Sequence, residues 1–186
     1  MTERNYPSDL EIKEVYKKDN KVGFRLMYHK YAERLYAVCR RYSGGEAWAM
    51  DYFQEGILRI NSKINSSYNY NGEGSLFRWM STVTVNRILD NLRKQNKLKE
   101  IRLEDTGIDM SEDVIDVPED IPLEDILKMV EELSPAKRTV FNLFIDGFSY
   151  KEIAQILRIT EYGASSTMSK ARKELSMKID EYYRTK

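Results

Sequence analysis

The stretch Ser149–Leu175, SYKEIAQILRITEYGASSTMSKARKEL, decides the fold. Ser149 and Glu152 have the spacing of a capping box, so a helix starts here. Ile153, Ile156 and Leu157 then turn one face inward, and Ala154 is small enough for close helix approach. Thr160 is placed to cap a second helix. On that helix Ala164, Met168, Ala171, Leu175 and Ile179 recur at intervals of three and four, which predicts a buried stripe. The complementary face carries Ser165, Ser166, Ser169, Lys170 and Lys173. Hydroxyls reach phosphates or base edges, and lysines neutralise phosphate. Two short helices, a tight turn and a two-faced second helix predict a helix-turn-helix that lays its second helix in a DNA major groove.

Upstream, Ser134-Pro135 predicts a further helix start, with serine as cap and proline in the first turn. That helix should end near Asp146-Gly147, where glycine permits a left-handed cap. Before it lies an acidic strap, IRLEDTGIDMSEDVIDVPEDIPLED, with Gly107, Pro118 and Pro122 and little helical periodicity. It reads as a flexible, mostly extended linker. The net charge of zero therefore hides three blocks. Residues 1–100 hold 18 basic and 12 acidic side chains, residues 101–132 hold 2 and 12, and residues 133–186 hold 10 and 6. Two basic bodies on an acidic strap suit a polyanionic partner.

The rest of the composition excludes other classes. No apolar run is long enough to span a membrane. Residues 1–20 contain no apolar core of a signal peptide, so a cytoplasmic protein without membrane insertion is expected. One cysteine, Cys39, forms no internal disulfide, and the single histidine, His29, builds no zinc site with it, so neither a metal nor a cofactor is expected.

The front body also reads as helical. Phe24, Met27, Tyr28, Tyr31, Leu35 and Val38 share a helix face, and Ser43-Gly44-Gly45 breaks the chain. In DYFQEGILRI, Phe53, Ile57, Ile60 and Ile64 fall on one side of a helix. Asp51, Gln54, Glu55 and Leu58 fall on the other, an acidic patch with an apolar neighbour. Such a face suits a protein partner that presents arginines. A long helix from about Ser75 to Lys97 follows, on which Trp79, Asn86 and Arg93 lie seven apart, with Arg87 and Lys94 beside them. The loop before it supplies Tyr68, Tyr70 and Phe77. Aromatic rings, an amide and arginines on one surface suit single-stranded nucleic acid, in which unpaired bases stack on rings.

These motifs, in this order, resemble an extracytoplasmic-function sigma factor of bacterial RNA polymerase. The resemblance rests on GFRLMYHKYAERLY, DYFQEGILRI and YNGEGSLFRWMSTVTVNRILDNLRK in the front body. In the rear it rests on LSPAKRTVFNLFIDGFSYKEIAQIL and SKARKEL. It implies an all-α chain of two small helical domains, residues 1–100 and 133–186, joined by the acidic linker 101–132. It implies that Asp51, Tyr52, Gln54, Glu55 and Leu58 bind core RNA polymerase. Asn69, Tyr70, Asn71, Ser75, Trp79, Asn86, Arg87 and Arg93 would read and open the promoter's minus-ten element. Ser165, Ser166, Ser169, Lys170 and Lys173 would read the minus-thirty-five element. Partners would be core polymerase, promoter DNA and, for the free protein, an anti-sigma factor; no reaction would be catalysed.

The chain departs from the family pattern at four places. Arg158 stands where a glycine is usual, at a cost of about 1–2 kcal/mol if left-handed. Tyr162 replaces another usual glycine, with Gly163 one step later. Ser165 and Asn71 replace frequent basic residues, which implies a weaker phosphate grip. The rival readings are a stand-alone helix-turn-helix regulator and a nucleic-acid enzyme built on Asp51 and Glu55.

Overall fold

The structure, a computed structural model, describes residues 6–44, 46–95 and 120–185, and every regular element among them is a helix. In chain order these are α1 (Asp9–Lys18), α2 (Asn20–Ser43), α3 (Glu46–Ser67), α4 (Ser75–Lys94), α5 (Leu123–Glu131), α6 (Pro135–Ile145), α7 (Tyr150–Leu157) and α8 (Glu161–Thr185). The all-α class expected from the sequence is the class observed. The chain divides into two compact units, residues 1–40 with 46–88, and residues 41–45 with 89–186.

In the front unit, α1 is an element the sequence reading did not assign. It starts in a full capping box: the Glu11 N–H donates to Ser8 Oγ at 3.2 Å, and the Ser8 N–H donates to Glu11 Oε2 at 2.7 Å. Its inner face buries Ile12 and Tyr16. The stripe on α2 is buried at Met27, Tyr31, Leu35 and Val38, whereas Tyr28 is exposed and sets its ring edge against Phe53, centroids 6.1 Å apart. Phe53, Ile57, Ile60 and Ile64 of α3 are buried as their spacing predicts, and so are Leu76, Met80 and Ile88 of α4. A Cβ on Gly56 would stand 2.8 Å from Thr84 Oγ1, so α3 and α4 cross where only glycine fits. Cys39 is a packed core thiol, pushed up to about 12 by burial.

In the rear unit, Leu123–Glu131 is a helix, although the sequence reading gave residues 101–132 to an extended linker. The reason is its apolar spacing. Ile126, Met129 and Val130, with Leu133, pack against Ala171, Leu175, Ile179 and Tyr182 of α8. Residues 101–119 of the strap lie outside the described residues. The side chain of Ser134 makes no cap bond, although Pro135 opens α6 as predicted. The Arg138 guanidinium instead donates to the carbonyls of Glu131 and Leu133, at 2.8 and 3.0 Å. α6 ends in a Schellman motif: Gly147 takes φ 92°, and the Phe148 N–H donates to Leu143 O at 3.1 Å.

Candidate nucleic-acid interface

The loop between α3 and α4 is shaped by its own residues. Gly72 and Gly74 adopt φ of 87° and 83°, a region that costs glycine nothing. Ser75 clasps the loop. Its hydroxyl donates to Gly72 O at 2.6 Å, meets the Tyr68 hydroxyl at 2.8 Å and accepts the Asn71 N–H at 3.2 Å. Tyr68 is buried, with its ring 5.5 Å from that of Trp79. Trp79 is half-buried. It lines a cavity of about 270 Å³ together with Asn71, Glu73, Ser75, Arg78 and Thr82.

The structure thus brings three predicted minus-ten residues, Asn71, Ser75 and Trp79, to one cavity. Asn69 and Tyr70 lie exposed on the loop, outside that lining, and Asn86 is exposed two turns further along α4. Arg93 pairs with Asp90 at 2.7 Å. Glu73, Arg78 and Thr82 were not predicted. For Arg78 and Thr82 the signal is in the sequence: with Ser75 and Trp79 they follow the three-and-four spacing of one helix face, whereas Glu73 lies in the loop before it.

The loop is also held from a distance. Asp9 is fully buried at the start of α1. Its carboxylate accepts from the Tyr31 hydroxyl, from the Leu76 N–H at 3.0 Å and from Lys30 Nζ at 3.1 Å. Its own N–H donates to Glu73 Oε2 at 2.9 Å, and Lys30 also pairs with Glu73 Oε1. Burial pushes the Asp9 carboxyl up, but the Tyr31, Leu76 and Lys30 donors outweigh it and hold it below its ordinary value. Burial likewise acts to lower the Lys30 pKa, and Glu73, Tyr31 and Asp9 more than reverse it. Both groups are therefore charged at neutral pH.

On α3, Asp51, Gln54, Glu55 and Leu58 are exposed, Leu58 at 71 %. Tyr52 is buried at 6 %, one turn before Gly56, at which α3 meets Thr84 of α4. Glu55 accepts from Arg87 Nε at 2.8 Å, which joins a residue expected to bind polymerase to one expected to bind DNA. Both partners are partly exposed, so the pair contributes under about 1 kcal/mol and is readily exchanged for another partner.

In the rear unit, Ser149 and Glu152 form the predicted capping box, and the Thr160 hydroxyl accepts the Gly163 N–H at 2.9 Å. Arg158 is left-handed, with φ 59° and ψ 48°, and no other non-glycine residue among those described has positive φ. On α8, Lys173 is exposed, and Ser165, Ser169 and Lys170 are half-buried. Ser166 is buried at 5 %, where the sequence reading put it on the open face. The buried side of α8 widens in its first turns to take in Gly163, Ser166 and Thr167, whose hydroxyl bonds back to Gly163 O at 2.7 Å. In this conformation Ser166 is withheld from a groove.

Residues 27–98 match the family of sigma-70 region 2, and residues 123–175 match sigma-70, region 4. The chain belongs to the sigma-70 family. Relatives of this sigma factor include the ECF RNA polymerase sigma factor SigX of Bacillus subtilis, 26 % identical over 82 % of this chain and 81 % of that protein. SigE of Mycolicibacterium smegmatis is 28 % identical over 80 % of this chain and 58 % of its own length. BldN of Streptomyces coelicolor is 29 % identical over 78 % and 56 %. The chain thus spans under two thirds of the latter two proteins. Among solved structures, the sigma factor RpoE of Bartonella quintana, crystallised with the anti-sigma factor NepR, shares the fold. The TM-score is 0.53 at 22 % identity, over 84 % of this chain and 96 % of that one. Members of the family direct RNA polymerase to promoters, and this chain is a sigma factor of the extracytoplasmic-function type. Neither matched region is a catalytic family, and among the described residues no helix is long and apolar enough to cross a membrane.

Proposed function

We propose that the two units divide promoter recognition between them while α3 holds the polymerase. The exposed Asp51, Gln54, Glu55 and Leu58 form the docking face for core RNA polymerase. The Trp79 cavity takes an unstacked base of the minus-ten element, with Asn86 and Arg87 further along the opened strand. Ser165, Ser169, Lys170 and Lys173 of α8 read the minus-thirty-five element. The chain catalyses no reaction, acts in the cytoplasm, and is held by an anti-sigma partner when free. The observation that carries this proposal is the Trp79 cavity itself, an aromatic wall with polar groups beside a glycine-shaped loop.

The test is run-off transcription from genomic fragments with core polymerase, with and without the protein. New transcripts starting at a shared upstream sequence are expected. The double variant D51K/E55K should bind core polymerase at least tenfold more weakly and abolish those transcripts. It should keep wild-type helicity and bind duplex DNA at least as well as the wild type, since the change adds positive charge. No transcripts and no co-elution with core polymerase would replace this proposal by the stand-alone regulator. DNA turnover without polymerase, lost in Asp51→Ala, would replace it by a nucleic-acid enzyme.

A further inference from the structure

Glu73 is the acid in the wall of the Trp79 cavity. It sits between two left-handed glycines, Gly72 and Gly74, and its side chain is half-exposed. An exposed glutamate between glycines would ordinarily sample many rotamers. This one is held at both oxygens: Oε2 accepts the Asp9 N–H at 2.9 Å, and Oε1 pairs with Lys30. Lys30 is itself fixed by Asp9 and by the Pro7 carbonyl, at 3.1 and 2.8 Å. α1 therefore pre-positions a carboxylate at the cavity edge, and each of its oxygens keeps a lone pair for a further donor.

An ionised carboxylate only accepts hydrogen bonds. Facing the edge of an unstacked base, it attracts exocyclic amino groups and repels carbonyl oxygens. Cytosine, adenine and guanine each carry such an amine. Thymine and uracil carry none, and their ring N–H is flanked by two carbonyls. The other polar groups in the cavity do not reproduce this preference. The Asn71 amide both donates and accepts, so it suits either kind of base. Arg78 is exposed and donates only, which matches the phosphate beside a flipped nucleotide.

We infer that Glu73, held in place from α1 by Asp9 and Lys30, makes the Trp79 cavity select a base with an exocyclic amine and reject thymine. The inference rests on the base-capture role proposed for that cavity. Glu73 is the selecting residue, and Asp9 and Lys30 are positioning residues.

Oligo(dC) and oligo(dU) separate the idea cleanly, because the two bases differ along one edge alone: an amine beside a bare ring nitrogen in cytosine, a carbonyl beside a ring N–H in uracil. Binding of each is measured by fluorescence anisotropy to the full chain assembled with core polymerase, with core alone subtracted. The wild type should prefer oligo(dC) about tenfold, the scale of one charge-assisted hydrogen bond. E73Q, whose amide accepts and donates alike, should bring the ratio to within about twofold. K30M, which keeps the carboxylate but frees it, should fall between the two. W79A should weaken both oligomers together. A wild-type ratio near one, or a ratio unchanged in E73Q while W79A weakens both, overturns the selection by Glu73 and leaves base capture standing. If W79A weakens neither oligomer, the cavity is not the base site, and both proposals fall.

Discussion

The two turns proposed to meet DNA are held in different ways. The front loop, Tyr68–Gly74, depends on partners far away in the chain. The Glu73 carboxylate bonds to residues 64 and 43 positions earlier, and the Leu76 N–H bonds to Asp9 across 67 positions. The rear turn, Arg158–Thr160, is closed mainly by contacts three to five residues apart, the Ile159 N–H to Ala154 O and the Gly163 N–H to the Thr160 hydroxyl, with one distant partner, the Arg93 guanidinium, on the Ile156 carbonyl. A locally capped turn forms as its helices form, and losing one cap leaves the others. A loop braced from a distance exists only when the whole unit is folded, and the loss of its central acceptor strands several donors at once. The front loop is the element proposed to grip unpaired bases, which requires a fixed shape that glycine-rich backbone does not supply alone.

The largest expected effect therefore falls on Asp9. Asp9→Ala leaves the Tyr31 hydroxyl, the Leu76 N–H and the Lys30 ammonium without their buried acceptor. The loss of one member of a buried charged network costs about 3–5 kcal/mol. Both tryptophans, Trp48 and Trp79, lie in the front unit, so tryptophan fluorescence in a urea titration reports its unfolding. A loss below about 1 kcal/mol, the value of an ordinary surface pair, would dissolve the contrast between the two turns. The same residue sets a pH dependence. Its folded pKa lies below its ordinary value, so the stability it contributes is present above that value. That stability is lost as pH falls through the folded pKa, on the acid side of the normal carboxylate range. Asp9→Ala should remove this part of the acid sensitivity.

A smaller effect is expected at the rear cap. Ser149→Ala removes the hydroxyl that accepts the Glu152 N–H and donates to its carboxylate. Such caps contribute about 1 kcal/mol. The loss should appear in the helical signal by circular dichroism, with the fluorescence midpoint in place. A cost as large as that of Asp9→Ala would show that the rear turn, too, is an all-or-none structure.

The same contrast explains what the sequence disclosed. The rear caps, the Gly147 stop, the stripe on α8 and the left-handed risk at Arg158 are written in residues three to five apart, and spacing alone finds them. The inner and outer faces of α3 were legible for the same reason. α1 is faint in the sequence, since a single capping box, Ser8 and Glu11, and one apolar pair, Ile12 and Tyr16, mark it. The Asp9–Lys30–Glu73 brace could not be found by spacing, since its members meet only after three helices pack. α5 was hidden by composition: the acidity of the strap masked the apolar step of Ile126, Met129, Val130 and Leu133. Ser166 was misplaced because a wheel drawn from the central stripe does not show where that stripe widens.

The smallest expected effect would sharpen the comparison most, because it is a gain. Arg158 holds a left-handed conformation that any residue with a Cβ disfavours. Relief of that strain is worth about 1–2 kcal/mol. Glycine offsets part of it by loosening the unfolded chain, by about 0.5–1 kcal/mol. Arg158→Gly should therefore stabilise the rear unit by a net of roughly 0.5–1 kcal/mol. The turn already has the geometry glycine prefers, and the bonds from the Arg158 and Ile159 N–H groups to Ala154 O involve backbone alone. The variant should keep the position of α8 and the promoter choice of the wild type in run-off transcription, with only duplex affinity lowered by the missing charge. A loss of stability would mean that the arginine side chain itself holds the turn. A change of promoter would mean that the strained backbone, and not the residues of α8 alone, sets how the helix meets the groove.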